Sequence, residues 1–165
     1  MSIRCFFVVI ATLLPCSVSG QRWSPRLFLD IGAGKTTWRT TSDVSLDVSA
    51  QLSVTSSKLR PTISASIGTN SYSCAGSCTS PNPSTWIGLG VTYVLNPSLR
   101  VQPFVTAELG SFHWRSSDRA FAWLGIAGLT FGDGPFSFRL TGRVRHAPDL
   151  SRIQYFASLG VGMRP

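Results

Sequence analysis

Residues 30–40 read DIGAGKTTWRT, and Gly-Ala-Gly-Lys-Thr-Thr has the residue types that close a phosphate-binding P-loop. That loop wraps phosphates with the backbone N–H groups of G-x-x-x-x-G-K-[ST]. Here the spacing fails, because five residues before Gly34 stands Leu29, where the first glycine belongs. A P-loop also opens a helix whose N-terminus helps to hold the anion. The residues after Lys35 are Thr-Thr-Trp-Arg-Thr-Thr, β-branched and aromatic, and they disfavour a helix. The stretch reads as a strand running into a polar loop. No nucleotide and no other cofactor is expected.

The remaining reactive residues are few. Cys5 and Cys16 fall in the first twenty residues, which leaves Cys74 and Cys78 in the turn-rich CAGSC. With His113 and His146 both distant in sequence, this pair is too small a ligand set for a metal. In an oxidising compartment a disulfide between Cys74 and Cys78 is the default. It would close a small loop, so its stabilisation sits at the low end of roughly 2–4 kcal/mol.

Residues 1–20, MSIRCFFVVIATLLPCSVSG, point to that compartment. Arg4 precedes an apolar run, and small residues follow it, which is the plan of a cleaved signal peptide. The run is too short to cross a bilayer comfortably. A lipidated Cys16 is disfavoured by Pro15, where a small residue is expected. Residues 21–165 are then the mature chain, long enough for one domain.

Composition narrows the class. Only 13% of the residues are charged, two of the fifteen basic residues are lysine, and the mean hydropathy is positive. The arginines are scattered, with no helix to present them, so nucleic acid is not the expected partner. No later stretch is apolar for 18 residues or more, so no membrane-spanning helix is expected.

The elements that must position these residues show in the alternation. In VSLDVSAQLSVT, residues 44–55, Val44, Leu46, Val48, Ala50, Leu52 and Val54 fall on one face. Ser45, Asp47, Ser49, Gln51, Ser53 and Thr55 fall on the other. Strict period two over a dozen residues is a strand signal. It recurs in RLFLDIGAG, PTISASIGT, TWIGLGVTYVL, LRVQPFVTAELGSF, FSFRLTGRVR and RIQYFASLGVGMR. AFAWLGIAGLTF is apolar on both faces, and its sides cannot be assigned from pattern.

These are eight strands of about 9–13 residues, the length that crosses a bilayer at a tilt. Short turns at 56–58, 96–98 and 132–135 alternate with longer, wetter stretches at 35–43, 71–84, 113–119 and 146–151. The expected fold is all-β, an eight-stranded antiparallel up-and-down transmembrane β-barrel. The structural rival is a soluble lipocalin-like barrel binding a small apolar ligand. Its outer surface should carry many Lys and Glu residues. The polar face here carries Gly, Ser, Thr and Gln, with isolated Asp30, Asp47, Glu108, Arg139 and Arg143. That mixture suits a tight interior, where a charge needs a partner. Trp38, Trp86, Trp114 and Tyr155 near one set of strand ends, and Trp23, Tyr93, Phe131 and Phe136 near the other, suggest two aromatic belts.

The tail GPFSFRLTGRVRHAPDLSRIQYFASLGVGMRP resembles the last hairpin of small bacterial outer-membrane β-barrels, the OmpA-like and opacity-like group. The resemblance spans all eight strands and rests on pattern rather than fixed motif residues. Such barrels usually end on an aromatic residue, whereas this chain ends Met163-Arg164-Pro165. The resemblance implies a monomer in the bacterial outer membrane, inserted by the barrel-assembly machinery and bathed in lipopolysaccharide. It implies no enzyme. The alternative, a lipid-modifying enzyme, lacks its motif, since the deacylases of this group carry a Ser two residues after the His. Here Ala147 and Pro148 follow His146.

Two residue sets are therefore expected to matter. Asp30, Asp47, Glu108, Arg139 and Arg143 should pair inside the lumen. Lys35, Arg39, Arg115, Arg119, Arg145 and Arg152 map near outer loops, where lipid phosphates could be met by arginine forks.

Overall fold

Alternating apolar and small polar residues build eight strands in the computed structural model, which describes residues 23–38, 41–55, 58–71, 82–114, 118–132 and 134–164. They are β1 (Trp23–Trp38), β2 (Thr41–Thr55), β3 (Leu59–Ser71), β4 (Asn82–Val94), β5 (Val101–Trp114), β6 (Asp118–Phe131), β7 (Phe136–Ala147) and β8 (Arg152–Met163). A 3-10 turn, Pro148–Leu150, links the last two. Each strand pairs antiparallel with the next, and β8 returns to β1 through pairs such as Leu27 with Met163 and Trp38 with Arg152. The sheet is a closed barrel with no free edge.

The stagger follows from the pairing. Leu27 pairs with Leu52, and the chain of partners continues through Ile63, Leu89, Leu109, Trp123, His146 and Ile153 to Thr37. One circuit therefore climbs from Leu27 to Thr37 along β1, and this stagger tilts the strands. The shortest strands have 12 residues, about 40 Å of chain. Tilted by about 45°, they rise about 28 Å, enough for an apolar band about 25 Å tall.

The strands run further than the hydropathy breaks suggest. Residues 35–38 and 41–43 belong to β1 and β2, because Lys35 pairs with Val44 and Trp38 with Thr41. His113 pairs with Arg119, and His146 with Ile153. Thr36, Thr37 and Trp38 are good strand formers, and continued pairing satisfies their backbone groups.

The faces are sorted inside out. Leu29, Ile31, Val48, Ile67, Leu89, Val105, Leu140 and Leu159 all point outward and are exposed. Ser49, Gln51, Ser64, Thr106, Thr141 and Ser158 point inward and are buried. A soluble lipocalin-like barrel needs the opposite arrangement, so that reading fails. A continuous apolar exterior belongs in hydrocarbon, with every backbone group paired inside the barrel wall.

Candidate functional site

The lumen is built from the inward face of every strand. Its centre holds three acids and three arginines. Arg139 grips Asp30 with a two-pronged fork, Nε donating to Oδ1 at 3.0 Å and Nη2 to Oδ2. Arg143 donates from Nη2 to Asp30 Oδ2 at 2.6 Å and from Nη1 to Asp47 Oδ1 at 3.2 Å. Arg145 lies 3.7 Å from Asp47 Oδ2 and donates to Ser66 Oγ at 2.8 Å and to Gln154 Oε1 at 3.0 Å. All five charged residues are buried. Contact of each arginine with a carboxylate is what makes their burial tolerable.

Glu108 is also inside, and it has no arginine of its own. Its Oε1 accepts from Gln51 Nε2 at 2.9 Å. Its Oε2 accepts from the Ser64 hydroxyl and, at 3.4 Å, from Trp86 Nε1. Gln51 links the two halves of the network, because its Oε1 accepts from Arg139 Nη1. The expected direct pairing of an arginine with Glu108 is thus replaced by a neutral relay. Arg139 and Arg143 are already held by Asp30 and Asp47 of β1 and β2.

Glycines make room for these side chains. A Cβ on Gly160 would lie 1.8 Å from Asp30 Oδ1, and one on Gly88 would lie 2.3 Å from Trp86 Cζ2. β8 and β4 therefore present bare backbone where the carboxylate and the indole cross them.

The half of the lumen toward the loop at 148–151 holds an apolar cluster from β4–β7 beside buried Thr36, Ser45, Arg145 and Gln154. Trp86, Phe112, Trp114, Ala120, Ala122, Leu124, Ile126 and Ala147 pack there as one cluster. The register sets small against large, with Phe112 opposite Ala120 and Ser84 opposite Trp114. Arg145 Cζ stands 5.2 Å from the ring centres of both Trp86 and Phe112, and Arg152 Cζ stands 3.8 Å from that of Trp114. Guanidinium over indole is an attractive pairing of cation and ring quadrupole.

This placement corrects four assignments. Trp86 and Trp114 plug the lumen rather than belting the exterior. Arg145 and Arg152 turn inward rather than toward lipid phosphates. All four share parity with an inward residue two positions away: Trp86 with Gly88, Trp114 with Phe112, Arg145 with Arg143, and Arg152 with Gln154. Turning them outward would break the pleat. Between β6 and its neighbours the inward residues are Ala120, Ala122, Leu124 and Ile126, while Phe121 and Trp123 face out. Outward Tyr155, Phe121 and Trp123 lie toward one end of the barrel, and Tyr93, Phe131, Phe136 and Phe138 toward the other.

A cavity of about 10 Å³ remains among Ser49, Gln51, Ser64, Trp86, Arg139 and Arg143, room for about one water molecule. Lys35 and Arg119 point outward and are exposed. Arg39, Arg115, Cys74 and Cys78, and residues 1–20, lie outside the described residues. His113 and His146 both lie on the outer face. His146 Nδ1 accepts from Trp123 Nε1 at 3.1 Å. Among the described residues no cluster of three or more potential metal ligands occurs.

Compared with solved structures, the chain is similar to Neisserial surface protein A, with a TM-score of 0.72 and 13% identity over 86% of this chain and 97% of that one. The chain has the fold of the small outer-membrane β-barrels. This outer-membrane barrel fold is shared with the attachment invasion locus protein Ail of Yersinia pestis (TM-score 0.55, 10% identity, 87% of this chain and 99% of that one). It is shared as well with the outer membrane enzyme PagL (TM-score 0.54, 17% identity, 82% and 98%). At these identities the likeness establishes the fold alone. No protein-family model matches the barrel sequence, and no curated protein matches it.

Proposed function

We propose that this chain is an integral protein of the bacterial outer membrane that acts through its outer surface and not through its lumen. The carrying observation is the packed middle of the lumen: among the described residues the ionic cluster and the aromatic plug meet, and the cavity between Ser49, Gln51, Ser64, Trp86, Arg139 and Arg143 is the size of about one water. Its role is to stabilise the membrane or to present its loops without catalysis. The cations still on the outer face, Lys35 and Arg119, meet the phosphates of lipopolysaccharide, together with Arg39 and Arg115 from the adjoining stretches. A polyanion ligand has a parallel on this fold, since Ail has been crystallised with the heparin analogue sucrose octasulfate. In this reading residues 1–20 are removed on export, Cys74 and Cys78 form a disulfide, and the assembly machinery inserts a monomer.

Planar-bilayer recording of the refolded protein tests the filled lumen. No steady single-channel current is expected. Sustained conductance by the wild type would overturn the surface-acting reading.

A further inference from the structure

The inner half of the lumen carries a second polar cluster that the central network does not use. Arg26 on β1 is the register partner of Ser53 on β2, and Ser53 is the partner of Thr62 on β3. Arg60 stands two residues before Thr62 on the same inward face. All four side chains are more than nine-tenths buried. Ser53 Oγ and Thr62 Oγ1 are buried without a hydrogen-bond partner. Two neighbouring hydroxyls left unsatisfied inside a protein call for a ligand atom.

Charge decides the sign of that ligand. Arg26 and Arg60 already make contacts of their own, but a guanidinium carries five donors and can serve more than one acceptor. Arg164 follows β8 at this end, close enough for its charge to act on Arg60. Its N–H donates to Pro135 O at 2.9 Å. Lys58 and Arg100 are exposed in the turns beside it. Among the described residues the inward acids are Asp30, Asp47 and Glu108, each engaged by its own donors. Glu108 lies two strands along the same row, across Gly90. Its oxygens are taken up by Gln51, Ser64 and Trp86.

We infer that Arg26, Ser53, Arg60 and Thr62 form an anion site of the phosphate class at the inner mouth of the barrel. Two hydroxyl donors beside two guanidinium groups match a tetrahedral oxyanion, which accepts forked donation from arginine and single bonds from hydroxyls. The site lies toward the end of the barrel where β1 begins and β8 ends, which is the periplasmic end in the outer-membrane reading. Its occupant is a free phosphate or the phosphate of an inner-leaflet lipid. The site itself rests on the barrel alone and stands whatever the outer loops bind.

The test uses the mature chain refolded in a phosphate-free maltoside detergent. Thermal unfolding is followed as inorganic phosphate is added, against sodium chloride at equal ionic strength. Phosphate is expected to raise the midpoint saturably and chloride to leave it unchanged. Ser53→Ala/Thr62→Val should fold and lose the phosphate response, and Arg60→Gln should weaken the apparent affinity by about tenfold, as expected for one charge-assisted bond. Equal effects of phosphate and chloride, or an undiminished response in the Ser53→Ala/Thr62→Val variant, would overturn the site. Adding phosphatidylglycerol to the micelles separates the sources. Saturation by the lipid, abolishing the phosphate response, assigns the site to a head group; a phosphate response that persists assigns it to the free ion.

Discussion

Arg143 Nη2 donates to Asp30 Oδ2 at 2.6 Å, and Arg139 forks onto both oxygens of the same carboxylate. One acid on β1 therefore fastens two arginines of β7, bridging over the intervening β8. Asp47 takes the remaining reach of Arg143 and lies beside Arg145. The barrel wall is held by backbone ladders, and this cluster adds side-chain ties among β7, β1 and β2.

Removing Asp30 should be more damaging than removing Glu108. Asp30→Asn leaves two buried guanidinium groups short of a charge, and breaking a buried pair costs about 3–5 kcal/mol. Glu108→Gln keeps an acceptor for Gln51 or Ser64 and should cost about 1 kcal/mol. Urea unfolding in lipid vesicles, with exposed Asp149→Ala as control, ranks the three. A Glu108 variant as unstable as the Asp30 variant would contradict the neutral relay.

Gly160 and Gly142 make a paired test of the lumen's packing. A Cβ at Gly160 runs into Asp30, whereas one at Gly142 meets nothing within 4 Å. Gly160→Ala should destabilise by about 1–3 kcal/mol or block folding. Gly142→Ala should be nearly neutral. Band shift between unboiled and boiled samples on a gel reports which variant forms the barrel.

Leu89 lies on the outer face and should sit in hydrocarbon. Leu89→Arg is expected to cost about 2–4 kcal/mol at mid-membrane depth. A spin label at the same position should be relaxed by lipid-soluble oxygen and shielded from an aqueous nickel complex. The reverse accessibility would place this face in water.

Arg145 and the pair Lys35 and Arg119 should separate in lipid dependence. Arg145→Ala removes contacts to Asp47, Ser66 and Gln154 and should lower stability in every lipid. Lys35→Ala/Arg119→Ala should lower it only in bilayers containing lipid A, and high salt should erase the difference because exposed charges are screened. Identical lipid responses from the two variants would remove the basis for a phosphate-binding rim.

The oxidation state of Cys74 and Cys78 is checked by mass analysis of exported protein after thiol blocking. No blocked thiol is expected. The reduced protein should keep its barrel, because the strand ladders do not depend on a bond in the segment between β3 and β4.

Much of this was legible in the sequence because a β-strand has period two. VSLDVSAQLSVT assigns Val44 to one face and Asp47 to the other without any structure, and seven such runs with an eighth apolar run and polar interruptions imply an eight-stranded barrel. The same parity puts Trp86 with Gly88 and Arg145 with Arg143, so their inward aim was also open to reading. Proximity to strand ends obscured it, since aromatic and basic residues there resemble an interface belt. The sides of AFAWLGIAGLTF were not legible, because both faces are apolar. Only the closed sheet decides them, by setting Ala120 opposite Phe112 in a lumen already filled by large rings. The partners inside were likewise beyond the sequence. Alternation says that Asp30, Glu108 and Arg139 point inward, but not at what height. The stagger of the barrel sets that height, and it brings Asp30 to Arg139 while leaving Glu108 to Gln51, Ser64 and Trp86.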